Sequence, residues 1–74
     1  MDYRDYITTD PNVRGGKACI RGMRVTVSDV LDLLAVRPEL SFVTSELPYV
    51  TEDDVRACLA YVADRERKIH SQVA

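Results

Sequence analysis

The chain has 74 residues, a formal net charge of −2 at pH 7, two cysteines and one histidine. A chain this short buries a core of modest size, so we expect one domain over residues 1–74. The weak negative charge argues against bulk binding of nucleic acid. Two cysteines and one histidine fall short of the ligands of a zinc site, and no apolar run approaches the ~18 residues of a membrane span.

The first residues are polar and of mixed charge, unlike a secretory signal peptide. We therefore expect a cytoplasmic protein with reduced thiols, and we predict no metal, no cofactor and no membrane association. Because a small domain often needs a further stabiliser, we also expect association with another chain, as a homodimer or a higher oligomer.

Charge is unevenly distributed along the chain. Residues 11–28 contain four basic residues and no acid, whereas acids outnumber bases from residue 38 onward. The basic stretch also holds all three glycines, which allow backbone conformations with positive φ. We therefore expect a basic β-hairpin arm over residues 1–26, followed by a three-helix bundle over residues 27–70.

In chain order, residues 6–9 form a β-prone run and residues 10–12 a turn. Residues 18–20 and 24–26 predict two short strands joined by a turn. A first helix follows the capping residue Thr26 and ends near Val36, because Pro38 disfavours helix before it. Its predicted buried stripe has the spacing of one helix face: Val27, Val30, Leu31 and Leu34.

Two further helices are predicted, separated by a turn at Pro48. The second covers residues 39–46, and Phe42 lies off its apolar stripe, as a second core contact or as an exposed anchor. The third follows Thr51 as its N-cap and continues to about Ile69, beyond the reach of the other two helices. Its predicted core stripe is Val55, Cys58, Leu59 and Val62. The order helix, turn, helix is compatible with a helix-turn-helix.

The candidate DNA-binding residues are basic side chains of the arm and polar residues of the third helix. On a strand–turn–strand, Arg21 and Arg24, with Lys17, reach phosphates or acidic side chains, although solvated surface charge is the alternative. At the third helix, only Thr51 and Arg56 suit DNA, since the acids at positions 52–54 repel phosphates. A P-loop is excluded, because Pro11 and Ala18 replace its first glycine and its hydroxyl.

The candidate partner-binding residues lie on the helices: Phe42, Tyr61, Arg65 and Ile69. The two aromatic residues are typical of core or interface packing rather than of stacking on bases. No pair of nucleophile and base has supporting spacing, so we predict no catalytic residue and no enzyme activity.

Several motifs resemble a bacterial family known as domain of unknown function 433. They are Gly-Gly-Lys at residues 15–17, Ile-Arg-Gly at 20–22, Arg-Val-x-Val at 24–27 and the helix pattern at 51–65. The resemblance implies a mainly α, homeodomain-like helix-turn-helix bundle of three helices with a short N-terminal β-hairpin. The chain departs from the family pattern at Ala18, Cys19 and Met23, where proline, an aliphatic residue and threonine are usual.

The resemblance also implies an antitoxin of a type II toxin–antitoxin pair. Such a protein neutralises a PIN-like ribonuclease by contact and regulates its operon by binding its own promoter DNA. Two alternatives stay open: an interaction module without DNA binding, which the net charge and the acidic start of the third helix favour, and a transcriptional regulator without a toxin partner.

Overall fold

A computed structural model describes the backbone of residues 1–73 and the side chains of residues 1–69. Three helices follow a small two-stranded antiparallel sheet, which confirms the predicted mainly α class. The strands are β1 (Ile7–Thr8) and β2 (Cys19–Ile20), and the helices are α1 (Val27–Val36), α2 (Leu40–Glu46) and α3 (Glu52–Val73). Single 3-10 turns, Tyr3–Asp5 and Arg14–Gly16, precede the two strands.

The sheet pairs β1 with β2, with Ile7 opposite Ile20 and Thr8 opposite Cys19. The predicted strand at 24–26 is reduced to one bridge, between Cys19 and Thr26. The reason is that Thr26 is also the N-cap of α1, so the chain leaves the sheet after a single pairing.

A tight turn connects β2 to the α1 cap. The Met23 N–H donates to the Ile20 carbonyl at 2.8 Å, and both residues between them have positive φ, 45° at Arg21 and 73° at Gly22. Two positive φ values are the signature of a type I′ turn, in which glycine is favoured at the second position. Arg21 adopts a conformation that costs energy for a side chain other than glycine, which implies that other contacts hold it there.

The beginning of α1 matches its predicted capping box. The Thr26 hydroxyl accepts from the Asp29 N–H, and the Asp29 carboxylate accepts from the Thr26 N–H, both at 3.0 Å. These two bonds satisfy backbone groups that a helix start otherwise leaves unpaired. At its other end, Arg37 is extended before Pro38, as predicted.

The core lies where the three helices meet β2. Its members come from every layer of the fold: Ile20, Val27, Val30, Val43, Val50, Val55 and Cys58. Cys19 and Cys58 are unbridged and buried, and burial raises the pKa of the Cys58 thiol to about 11. Both thiols therefore act as small apolar core groups.

One part of the predicted core is wrong. Leu59 and Val62 of α3 are 45% and 36% exposed, whereas Asp54 and Ala57 are buried. The buried face of α3 is rotated away from the predicted stripe, because α1, α2 and the arm cover its first turns from the side of residues 54, 57 and 58. The apolar residues of α3 have the spacing of two adjacent helix faces. The face that holds Leu59 and Val62 is only partly covered by the rest of the chain.

Candidate functional site

Arg21, predicted to reach a phosphate or an acid, contacts an acid of its own chain. Its Nε donates to Oδ1 of Asp54 at 2.9 Å, and its Nη2 donates to Oδ2 at 2.8 Å. The same Nη2 donates to the Tyr49 carbonyl at 2.9 Å. We call this bidentate ion pair the Arg21–Asp54 clamp. It joins the turn of the arm to the loop between α2 and α3 and to the start of α3.

The Asp54 side chain is fully buried, although its partner is partly exposed. It closes a capping box with Thr51: the carboxylate accepts from the Thr51 N–H, and the Thr51 hydroxyl accepts from the Asp54 N–H. Burial acts to raise the pKa of Asp54, but the hydrogen bonds from Arg21 and Thr51 outweigh it, so that the pKa lies below its ordinary value. The carboxylate is thus a charged group inside the fold, held by one local partner, Thr51, and one distant partner, Arg21.

The importance of Asp54 was missed in the sequence, where it counts as one of three solvated acids at the start of α3. A signal was present, since Thr51 and Asp54 have the same spacing as the capping box Thr26–Asp29. What the spacing does not contain is the long-range partner, because Arg21 lies 33 residues away along the chain. The clamp is a product of the tertiary fold.

Of the other predicted DNA-binding residues, only Thr51 contacts the clamp, through its capping box with Asp54. Lys17 and Arg24 are exposed on the arm, and Arg56 is exposed on α3, where it pairs with Asp53 at 3.2 Å. Thr51 is the N-cap of α3. The fold therefore leaves Lys17 and Arg24 as the arm's outward-facing cations among the predicted contacts, whereas Arg21 is engaged within the chain.

The predicted partner-binding residues divide between two places. Tyr61 and Arg65 lie together on α3, with the Arg65 guanidinium 5.5 Å from the centre of the Tyr61 ring. Ile69 follows on the same helix and is 53% exposed. Phe42 is separate: it lies half-buried on α2 under the Arg37 guanidinium, 5.3 Å from its ring centre.

A shallow groove of about 320 Å³ brings residues from the two predicted groups together. It runs between the end of the arm, the first turns of α1 and the middle of α3. Lys17 comes from the DNA-binding group, and Tyr61 and Arg65 come from the partner-binding group. The remaining lining is small or apolar apart from one hydroxyl: Ala18, Val27, Ser28, Leu31 and Val62. We call this the arm–α3 groove.

An apolar strip continues from this groove along α3. Leu59, Val62 and Ile69 are all exposed, and they recur at the three- and seven-residue spacing of one helix face, on which the exposed Glu66 lies between Val62 and Ile69. At 1.5 Å per residue, the strip is about 15 Å long. Val62 belongs to both the strip and the groove, so the two form one continuous surface.

The opposite side of α3 is occupied by the N-terminal segment. The Tyr3 hydroxyl donates to the Asp64 carboxylate, and the Tyr3 ring packs edge-on against Tyr61 with 5.6 Å between ring centres. Hydrogen bonds from Tyr3 and from Lys68 lower the pKa of Asp64. The hydrogen bond between Tyr3 and Asp64 also raises the pKa of Tyr3. These contacts hold the first residues on α3 and orient Tyr61 beside the groove.

Among the described side chains, no group of three or more His, Cys, Asp and Glu residues is placed to hold a metal ion. No helix in the described range is both long and apolar enough to cross a membrane. Within that range, each buried side-chain polar atom also has a hydrogen-bond partner.

The clamp predicts a large difference between two neighbouring acids. Asp54→Asn removes a buried charge that accepts from Arg21 and Thr51, so we expect the free energy of unfolding to fall by about 2 kcal/mol. Asp53→Asn, one residue away, removes an exposed partner of Arg56 and should change it by less than about 0.5 kcal/mol. Chemical denaturation of both variants at neutral pH measures the difference, and equal effects would contradict a structural role for Asp54.

The same comparison has a defined pH dependence. Because the pKa of Asp54 is lowered on folding, its carboxylate stabilises the fold above the ordinary Asp pKa of about 4, and that stabilisation is lost as the pH falls through the lowered value. The gap between the unaltered protein and Asp54→Asn should therefore be full near neutral pH and shrink in acid. A gap that stays constant through the acid range would show that the ionised carboxylate is not the stabilising species.

Comparison of the chain with curated proteins and with solved structures gives no match. A family model described as "Protein of unknown function (DUF433)" matches residues 7–62. The match begins at β1, contains both members of the Arg21–Asp54 clamp and ends at Val62. It therefore covers the arm and the helical body together, and the chain belongs to the DUF433 family.

Proposed function

We propose that this protein is the antitoxin of a type II toxin–antitoxin pair and acts by binding rather than by catalysis. In this role it binds and neutralises a PIN-like ribonuclease in the cytoplasm. It also represses its own operon by binding promoter DNA as a homodimer or higher oligomer. The antitoxin role comes from the resemblance described above, and the surface of α3 supports it. In this proposal α2 and α3, joined by residues 47–51, act as a helix-turn-helix of the homeodomain-like kind that the resemblance implies.

The observation that carries the proposal is the apolar strip of α3. Leu59, Val62 and Ile69 are exposed together on one helix face, and apolar side chains grouped on one face mark contact surfaces between proteins more often than single exposed ones do. A helix face with this spacing is a recurrent binding element between proteins. We therefore assign toxin contact to the strip and, with it, to Tyr61 and Arg65.

Contact with DNA is assigned to the arm. Lys17 and Arg24 are exposed there, and oligomerisation would multiply a weak positive patch. The first turn of α3 suits DNA less well, since Glu52 and Asp53 are exposed beside Thr51 and would oppose phosphates. In this arrangement Arg21 positions the arm through the clamp instead of contacting DNA.

Toxin contact is tested by co-expression with a neighbouring gene for a small PIN-like protein. The unaltered chain should co-purify with that protein and suppress its ribonuclease activity. Val62→Asp and Ile69→Asp place charges on the strip and should abolish both effects. Val36→Asp is the matched control, because Val36 is also apolar and 71% exposed but lies on α1. Co-purification that survives both strip variants would remove the assignment of the surface, and failure of the unaltered chain would remove the antitoxin role.

DNA contact is tested by a mobility shift on the gene's own promoter at two salt concentrations. Binding through phosphates should weaken at the higher salt and be lost in the Lys17→Ala/Arg24→Ala double variant. Arg4→Ala/Arg37→Ala is a control with the same loss of charge, drawn from other exposed positions. No shift by the unaltered chain at low salt would contradict the DNA role.

A second candidate function is an interaction module without DNA binding. Its support is the clamp itself, since the guanidinium of Arg21 is taken up by Asp54 and Tyr49 and the exposed start of α3 is acidic. The two experiments above distinguish this candidate from the antitoxin: an interaction module co-purifies with its partner but does not shift the promoter DNA.

A further inference from the structure

The arm–α3 groove combines an apolar floor with cations at its rim. Lys17 lies at one side and Arg65 at the other, and none of the eight lining residues carries a carboxylate. Two nearby acids are bound to other partners: Asp29 to Thr26 and Arg14, and Asp64 to Tyr3 and Lys68. A third acid, Glu66, is exposed on α3 beside Arg65 and outside the groove lining. In a protein whose net charge is −2, the groove is a locally positive, partly apolar surface, and the adjoining strip carries one acid, Glu66.

The charge of the groove decides between two kinds of occupant. A second copy seated groove on groove by two-fold symmetry would bring Lys17 and Arg65 near the same cations of the other copy, with Glu66 of the strip as the one acid of this surface. An occupant with carboxylates beside its apolar residues would instead pair with both cations. The groove therefore disfavours a symmetric homodimer across this face and favours an acidic partner.

The shape of the surface indicates the form of that partner. Groove and strip share Val62 and extend about 15 Å along α3, which matches about three turns of a helix lying against it. The volume of about 320 Å³ is at the lower end of binding pockets and suits a few aliphatic side chains rather than a compact cofactor. An occupant that places apolar side chains in the groove and carboxylates beside its two cations is an acidic amphipathic helix.

We propose that the arm–α3 groove and the α3 strip bind an acidic amphipathic helix of another protein, with Lys17 and Arg65 pairing with its carboxylates. This proposal refines the proposed function by giving the chemistry of the toxin segment, and it rests on that function only for the identity of the partner. It makes Lys17 a residue for which DNA and the partner helix compete, whereas Arg24, outside the groove, contacts DNA alone. Tyr61 has a positioning role, because Tyr3 packs on its ring and Arg65 lies over it.

The test uses two synthetic peptides of about 15 residues, long enough to become helical on binding. Both peptides carry leucines at the spacing of one helix face. All remaining positions are glutamate in one peptide and lysine in the other. Titration into the isotope-labelled full chain, followed by amide chemical shifts, should show the glutamate peptide perturbing Ala18, Leu31, Val62 and Arg65. The lysine peptide should leave these amides unchanged.

Two charge-reversed variants provide the matched comparison. Lys17→Glu/Arg65→Glu should weaken binding of the glutamate peptide by about tenfold or more, and acquire binding of the lysine peptide. Arg24→Glu/Arg56→Glu has the same net charge but lies outside the groove, and screening at physiological salt should keep its affinity near that of the unaltered chain.

Three results would overturn the proposal: no binding of the glutamate peptide, equal binding of both peptides, or shifts of the groove amides on concentrating the chain alone, which would identify a second copy as the occupant. Because the peptides involve no toxin, their failure is distinguishable from failure of co-purification. Peptide binding without co-purification would leave the groove assigned and the antitoxin role rejected.

Discussion

The Arg21–Asp54 clamp is the contact on which the arrangement of this small protein depends. One side chain, on a turn with positive φ, reaches a carboxylate buried at the start of α3 and a carbonyl in the preceding loop. Both ends are strengthened locally, by the type I′ turn at Gly22 and by the capping box at Thr51. In a domain too small for a large core, such a link holds a two-stranded sheet against helices that would otherwise leave it marginally stable.

The clamp also explains how the basic arm can serve a helical surface. With Arg21 fixed, β2 and the residues before it lie beside α1 and α3, and Lys17 is brought to the rim of a groove whose other cation, Arg65, is far away in the sequence. A flexible arm would carry the same charges without forming this surface. Pre-organisation of this kind reduces the ordering cost of binding.

Local features of the fold followed well from the sequence. Thr26 with Asp29, and Pro38 after the last helical turn, marked both ends of α1, and the bounds of α2 and the start of α3 were close to prediction. These succeeded because caps and proline act within a few residues. The paired strands were less predictable, since the partner of β2 lies before the glycine-rich segment and each strand has only two residues.

The candidate site depended on information that local patterns lack. Leu59 and Val62 have helical spacing with Val55, yet only the packing of α1 and the arm decides which face of α3 is covered. Asp54 could be recognised as a capping residue but not as the partner of Arg21, and Lys17 could not be placed near Arg65. In each case the missing quantity was a tertiary contact between segments distant in sequence.

Amide hydrogen exchange tests most directly whether the clamp makes the arm and the helical body one cooperative unit. The informative amides are those of Ile20 and Arg21, which donate to Val25 and Tyr6, and that of Val55, which donates to Thr51. We predict that all three exchange with the opening free energy of global unfolding. Exchange of Ile20 and Arg21 through a separate, lower-energy opening while Val55 stays protected would contradict the clamp as the organising contact.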